Sequence, residues 1–148
     1  MRKSLMVVGA VAVLLTAGAA RAHDPRELVP MAPALQQDMV NTMQDHLIVL
    51  DTILSHLATE RYVAAAKLAE QRLTIAPYDP AEAARLLAAM PPPMLEAETG
   101  LRHAALRLAA AARRADTQRN YAAMTEVVGA LSDVTAACTG CHAHYRIR

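Results

Sequence analysis

Both cysteines of this 148-residue chain lie in one short stretch near its C-terminal end, Cys138-Thr139-Gly140-Cys141-His142. Two cysteines three positions apart, with a histidine directly after the second, form the attachment sequence for c-type haem. The two thiols can add across the vinyl groups of a porphyrin, and the imidazole lies where it can bind the iron. Both thiols are therefore committed to one short site, so this stretch constrains most what the chain can do.

Three other interpretations of the cysteine pair compete with haem attachment. A redox-active dithiol of the thioredoxin type lies at a helix N-terminus, where the helix dipole lowers the thiol pKa, whereas this pair ends a long helical pattern. A zinc site would draw Cys138, Cys141, His142 and His144 from two turns of chain, which cannot surround a tetrahedral metal without a distant partner. The third interpretation is a chance occurrence, with disulfide-bonded or free thiols, because the motif is specific only in an exported protein.

The first 22 residues have the pattern of a secretory signal peptide. Arg2 and Lys3 carry positive charge, residues 5–19 form an apolar run, and Ala20-Arg21-Ala22 offers small residues at the two positions that signal peptidase reads. The apolar run is short for a bilayer span. We therefore expect cleavage after Ala22, export to the periplasm, and one mature domain of residues 23–148.

Loss of the leader changes the charge and leaves an unusual core composition. Three of the 15 basic residues are removed, which leaves 12 against 14 acidic residues and a formal charge of −2. This balance gives no indication of a nucleic-acid partner. The chain contains no Phe or Trp and only four Tyr, so Ala, Leu, Val and Met must build the core, and a porphyrin could supply the missing flat bulk.

Apolar periodicity and proline positions predict four main helices and no strand. We expect helices over residues 34–58, 61–75, 94–115 and 118–145, the last capped by Asp116-Thr117. Prolines between residues 77 and 93 bracket a helical fragment, which we interpret as part of a crossover. The predicted fold is an all-α, antiparallel four-helix bundle with a proline-rich crossover between helices 2 and 3. The predicted core stripe of the first helix consists of Leu35, Met39, Met43, Leu47, Leu50, Leu54 and Leu57.

The haem motif and the residues after it carry a family resemblance. Residues 138–146 read Cys-Thr-Gly-Cys-His-Ala-His-Tyr-Arg, which fits the form Cys-x-x-Cys-His-x-x-Tyr-Arg at the end of a last helix. An exported four-helix chain of this size with one motif in that place resembles the cytochrome c prime family, the four-helix class II c-type cytochromes, including its low-spin, methionine-ligated relatives. The resemblance covers the mature chain in helix order, and its specific part is the last nine residues.

The resemblance implies roles for four residues of this stretch. Cys138 and Cys141 would form the thioethers of one covalent haem c, and His142 would be the proximal iron ligand. Arg146, expected one helical turn after His142, would lie near the proximal imidazole or a haem propionate. A solvated arginine at the end of the helix is the alternative role.

The residue on the opposite face of the haem should come from the first helix. Met39, Met43 and His46 are spaced so that all three can lie on one helix face. The position of the sixth ligand in the family favours Met43, whose thioether would give a six-coordinate, low-spin iron. Core packing is the alternative role of a methionine at helical spacing. We interpret Met90 and Met94, which come later in the chain, as packing residues.

Two functions follow from the state of the sixth position. With Met43 bound, the protein would be a one-electron carrier for redox partner proteins of the periplasm, and it would meet a membrane only through a membrane-bound redox partner. With an open position it would bind a small diatomic gas such as NO or CO. A haem-free periplasmic metal-binding helical bundle is the third interpretation. No catalytic base, nucleophile or substrate motif accompanies the haem motif, so we expect no enzymatic activity. Because dimers are common in the family, the resemblance also implies a possible homodimer.

Overall fold

The computed structural model describes residues 24–74 and 80–148. The predicted signal peptide, its cleavage point after Ala22 and residue His23 lie outside this part of the chain. Of the described residues, 81% are helical, and the remaining regular structure in these ranges is one pair of two-residue strands. The all-α class is therefore confirmed. None of the helices in the described ranges combines the length and apolar character needed to cross a bilayer.

The helices lie close to where proline and periodicity predict them. In chain order the elements are β1 (Glu27–Leu28), α1 (Pro33–Ala58), α2 (Tyr62–Arg72), α3 (Pro80–Ala88), α4 (Pro92–Gln118), α5 (Tyr121–His144) and β2 (Tyr145–Arg146). Pro33 and Pro92 open α1 and α4, where the missing proline N–H would have no partner within the helix in any case. The short α3 is the fragment predicted within the crossover.

The boundary between α4 and α5 differs from the prediction. Asp116 and Thr117 continue α4, and Arg119 ends it in a left-handed conformation with φ 43° and ψ 47°. Asn120 caps α5 instead, since its side-chain oxygen accepts a hydrogen bond from the Ala123 N–H at 2.8 Å. The predicted cap at Asp116-Thr117 was wrong because helical backbone persists through both residues, so neither can adopt the extended conformation of an N-cap.

Alanine side chains build the main core. The helix α4 packs against α2 and α5, and α1 packs against α2. Small side chains allow such helices to approach closely, because interaxial distance depends on the residues at the contact. We call this cluster the alanine-rich core. The buried alanines that α4 contributes are Ala104, Ala105, Ala109, Ala111, Ala112 and Ala115.

The buried face of α1 is rotated from the predicted stripe. Its buried residues are Met39, His46, Val49, Ile53 and Leu57. By contrast Leu47 and Leu54, which the prediction placed in the core stripe, are 69% and 44% exposed. Apolar residues occur on both sides of this helix, so steps of three and four can be followed along either face. Packing against α2 selects the face that is buried, and the prediction for Leu47 and Leu54 was wrong.

A short parallel strand pair joins the first and last described segments. Glu27 lies opposite Tyr145 in the pair, and the Val29 N–H donates to the Arg146 carbonyl at 2.8 Å. The side chain of Val29 is only 1% exposed, so this segment is held by backbone and side chain together. We call residues 24–29 the N-terminal strap. The expectation of no strand was wrong here, because two residues are too few to show an alternating pattern.

A matched pair of leucine variants tests which face of α1 is buried. We expect Leu57→Ala to lower the free energy of unfolding by about 2–5 kcal/mol, because Leu57 is 6% exposed in the alanine-rich core. Leu54→Ala is the control, since Leu54 is 44% exposed, and it should cost less than about 1 kcal/mol. Urea denaturation followed by circular dichroism measures both values. Equal losses would contradict the rotated stripe.

Candidate functional site

A cavity of about 540 Å³ is lined by residues of α1, α4, α5 and β2. This volume lies in the range of roughly 300–1,000 Å³ that is usual for ligand and cofactor sites. Cys138, Cys141 and His142 line the cavity, and so do Met43 and Arg146. The five residues that the sequence singles out therefore meet at one place in the fold, although they belong to three different elements.

Most of the cavity wall is apolar and rich in methionine. Part of it belongs to a second buried cluster, formed by Val29, Met39, Leu86, Met90 and Met94, which we call the methionine cluster. Cys141 packs against the methionine cluster, whereas Cys138 packs against the alanine-rich core. The two thiols thus lie where the alanine-rich core and the methionine cluster meet. A flat apolar ligand attached at that point would contact both clusters.

The cysteines have the properties of protected thiols and not of a redox-active dithiol. Both are free and half-buried. Burial raises the pKa of the Cys138 thiol, and burial together with the neighbouring Cys138 raises the pKa of the Cys141 thiol. Dithiol catalysts use the opposite shift, because the thiolate is the reactive form. The local environment therefore gives the thioredoxin-type interpretation no support.

The zinc interpretation also finds no support in the described part of the chain. His144, its suggested fourth ligand, shares a 2.7 Å hydrogen bond between its Nδ1 and the Gly140 carbonyl. Within residues 24–74 and 80–148, no group of three or more His, Cys, Asp or Glu side chains is arranged to hold a metal ion. A tetrahedral metal site needs four converging ligands.

The C-terminal residues adopt an arrangement that the helix prediction missed. Helix α5 ends at His144, and Tyr145 is extended with φ −121° and ψ 148°. The expectation that Arg146 lies one helical turn after His142 was therefore wrong, because Arg146 belongs to β2. Arg146 still reaches the cavity, where its Nε is buried without a hydrogen-bond partner among the described residues. His142 is exposed and borders the same cavity.

The three candidates for the sixth ligand, Met39, Met43 and His46, all line the cavity. They differ in how deeply they are buried and in whether they make a hydrogen bond. Met39 is 3% exposed within the methionine cluster, and Met43 is half-buried at its edge. His46 is buried, and its Nε2–H donates to the Thr74 carbonyl at 3.1 Å. Burial lowers the pKa of His46 below its ordinary value, so the ring is neutral near pH 7. Among the three, Met43 is the one neither fully packed nor engaged in a hydrogen bond among the described contacts.

Two of the cavity residues are predicted from the sequence only as packing residues, and a third is not predicted at all. Met90 and Met94 pack in the methionine cluster, as predicted, and they also line the cavity. Arg26 also lines the cavity. The apolar residues Leu28 and Val29, inside a proline-flanked segment, were the available sign that this segment is anchored.

Comparison of the chain with protein-family models, with curated proteins and with solved structures finds no match. The family resemblance therefore stays an expectation from the C-terminal motif. Any functional conclusion depends on that motif and on the cavity around it.

Because His46 is buried, we expect the free energy of unfolding to fall in acid. Burial lowers its pKa from the ordinary 6.5, so the unfolded chain takes up the proton first. The stability that the neutral His46 side chain contributes is therefore fully present above about pH 6.5. It is lost as the pH falls toward the lower pKa of the folded state, and the free energy of unfolding then changes by at most about 1.4 kcal/mol per pH unit. Asp45 and Glu98 oppose the shift, and Arg72 adds to it.

We expect His46→Gln to remove this component of the pH dependence, measured by urea denaturation from about pH 5 to 8. The control is His103→Gln, because His103 is exposed and should leave the pH dependence of the wild type unchanged. An identical slope in wild type and His46→Gln would contradict the assignment of a neutral, buried His46.

Proposed function

We propose that this chain is an exported c-type cytochrome of the periplasm that holds one covalent haem and transfers single electrons. The observation that carries the proposal is the placement of Cys138, Cys141 and His142 on one cavity of about 540 Å³. The residues present fit a haem in three respects. The volume suits a cofactor, the wall is largely apolar, and Arg146 has a buried donor, Nε, with no hydrogen-bond partner among the described residues.

Each residue of the motif has a defined role in this proposal. Cys138 and Cys141 hold the porphyrin through thioethers, and His142 binds the iron. When bound, the haem supplies a reversible one-electron iron couple. A haem held by Cys138 and Cys141 would contact the alanine-rich core and the methionine cluster, and an apolar surrounding would favour the less charged, reduced state of the iron site.

The half-buried Met43 is the proposed sixth ligand. It lies on the cavity wall, and its neighbour Met39 is already buried in the methionine cluster. A thioether opposite a histidine raises the reduction potential. An iron with both axial positions filled by the protein leaves no position for a substrate, which suits an electron carrier.

We extend the proposal to the finer architecture. The packing of α1 on α2, of α2 on α4 and of α4 on α5 supports an antiparallel four-helix bundle in which α3 belongs to the crossover. Together with the motif at the end of α5, this arrangement supports membership of the cytochrome c prime family. The proposed partners are redox proteins of the periplasm, including membrane-bound ones, while a homodimer stays a prediction.

The gas-binding alternative depends on the apolar part of the same wall. Met39, Val40 and Leu101 line the cavity, and without a bond from Met43 they would admit only small, weakly polar molecules such as NO or CO. The haem-free metal-binding bundle has no such observation in its favour.

Haem attachment is the first prediction to test. Expressed in a host with a cytochrome c maturation system, the purified protein should begin at His23 and carry the mass of one haem in mass spectrometry. Replacing both cysteines, Cys138→Ala with Cys141→Ala, should abolish the added mass and the haem absorption. Thr139→Ala, between the two cysteines, is the matched control and should keep both. An unmodified wild-type mass would refute the proposed function.

Optical spectra decide between the electron carrier and the gas binder. The wild-type protein should be low-spin in both oxidation states and should not respond to carbon monoxide. Met43→Ala should convert it to a high-spin form that binds carbon monoxide, whereas Met94→Ala, on the same cavity wall, should stay low-spin. A high-spin wild type that binds the gas would establish the alternative, and an unchanged spectrum in Met43→Ala would exclude Met43 as the ligand.

A further inference from the structure

Two arginines from the opposite ends of the described chain meet at the cavity. Pairing of β1 with β2 brings the N-terminal strap alongside the residues that follow α5, and both Arg26 and Arg146 line the cavity. A single carboxylate, that of Asp24, lies 2.7 Å from Arg26 Nη2 and 3.7 Å from Arg146 Nε. The two guanidinium groups are therefore close neighbours at one edge of the cavity.

The cluster formed by Asp24, Arg26 and Arg146 carries a net positive charge. Hydrogen bonds from Arg26 hold the pKa of Asp24 well below its usual range, so Asp24 contributes one negative charge against two positive ones. Arg148 adds a further guanidinium to the lining, and Glu98 of α4 is the acidic residue that faces the cavity. The Nε atom of Arg146 is buried and makes no hydrogen bond among the described residues. The Asp24 carboxylate faces it at 3.7 Å, which is too long for a hydrogen bond, so an acceptor for this donor is still missing and its absence is costly.

The hydrogen bonds of Arg26 leave part of its guanidinium available. Asp24 accepts from Nε and Nη2, and a guanidinium has five N–H donors. The donors on Nη1 are therefore not used by Asp24. The exposed ion pair with Asp24 therefore leaves part of the Arg26 guanidinium able to bind a second anion.

We propose that Arg26 of the strap, together with Arg146, binds the propionate carboxylates of the haem. This inference rests on the proposed function. Haem is an apolar ring with two carboxylates at one edge, and the cavity is an apolar chamber with guanidinium groups at one edge. Guanidinium and carboxylate form paired, charge-assisted hydrogen bonds. The strap, which precedes the first helix, thereby contributes a ligand-binding group to the site.

The test uses the holoprotein and a signal that comes from the propionates themselves. The resonance Raman band of propionate bending should shift in Arg26→Gln, because that variant loses the guanidinium hydrogen bonds. The reduction potential should also fall, since a nearby positive charge favours the reduced iron site. Arg107→Gln is the matched control, because Arg107 pairs with Asp133 at 3.0 Å away from the cavity, and both values should equal those of the wild type.

Two further variants separate ligand binding from a structural role of the ion pair. Asp24→Asn breaks the same ion pair but keeps the guanidinium, so a Raman shift equal to that of Arg26→Gln would overturn the inference. Arg26→Lys keeps the charge and loses the forked geometry, and it should shift the band with little change in potential. If circular dichroism shows that Arg26→Gln does not fold, the Raman shift of Arg26→Lys tests the inference in its place.

The outcomes of this test and of the proposed function are distinguishable. Absence of covalent haem in the wild-type mass would refute the proposed function itself. Covalent haem with a propionate band that is the same in wild type, Arg26→Gln and Arg26→Lys would refute only the assignment of Arg26.

Discussion

The distance at which α4 can approach α2 and α5 governs the rest of this fold. Along the second half of α4, from Ala104 to Ala115, alanines face the neighbouring helices and allow close packing. Along the first half, Met94, Ala97, Glu98 and Leu101 line the cavity instead. The same helix therefore closes one end of the molecule and borders a chamber at the other. The chain has no Phe or Trp, and although Tyr145 lines that chamber, a volume of about 540 Å³ is left open.

The chamber combines an apolar interior with a charged edge, and each part depends on a different kind of interaction. Methionine side chains are flexible and polarizable, so they adapt to a rigid ligand more readily than branched residues do. His46 is neutral near pH 7 and is bonded to the backbone at Thr74, so this side chain adds no charge to that wall. The guanidinium groups stay at the edge, where Asp24 and solvent stabilise them. Such a separation suits a ligand that is itself apolar over most of its surface and anionic at one edge.

Local signals in the sequence were sufficient for the helices and for the residues of the motif. Proline marked the start of α1, and the step of three or four residues marked the extent of the helices to within a few residues, although α4 begins at Pro92 and not at the predicted residue 94. The buried face of α1 was not predictable, because Leu47 and Leu54 follow the same spacing as the residues that are buried. The placement of Arg146 failed for a different reason: pairing with a distant strand ends α5, and no local pattern reveals a partner that far along the chain. Met43, by contrast, lies on the cavity wall where helix spacing predicted it.

From the length of chain that the strand pair closes we infer an order of events during folding. Contact between Glu27 and Tyr145 closes nearly the whole described chain into one loop, and the entropy lost on closing a loop grows with its length. Helices form from near neighbours and can precede such a contact, whereas pairings between distant segments form slowly. An early folded form would therefore have its helices in place and its strap undocked, with the methionine cluster lacking Val29. The strap is thus the segment whose docking completes the chamber. Before the strap docks, the opening of the chamber is wider, and a bulky group can enter through it.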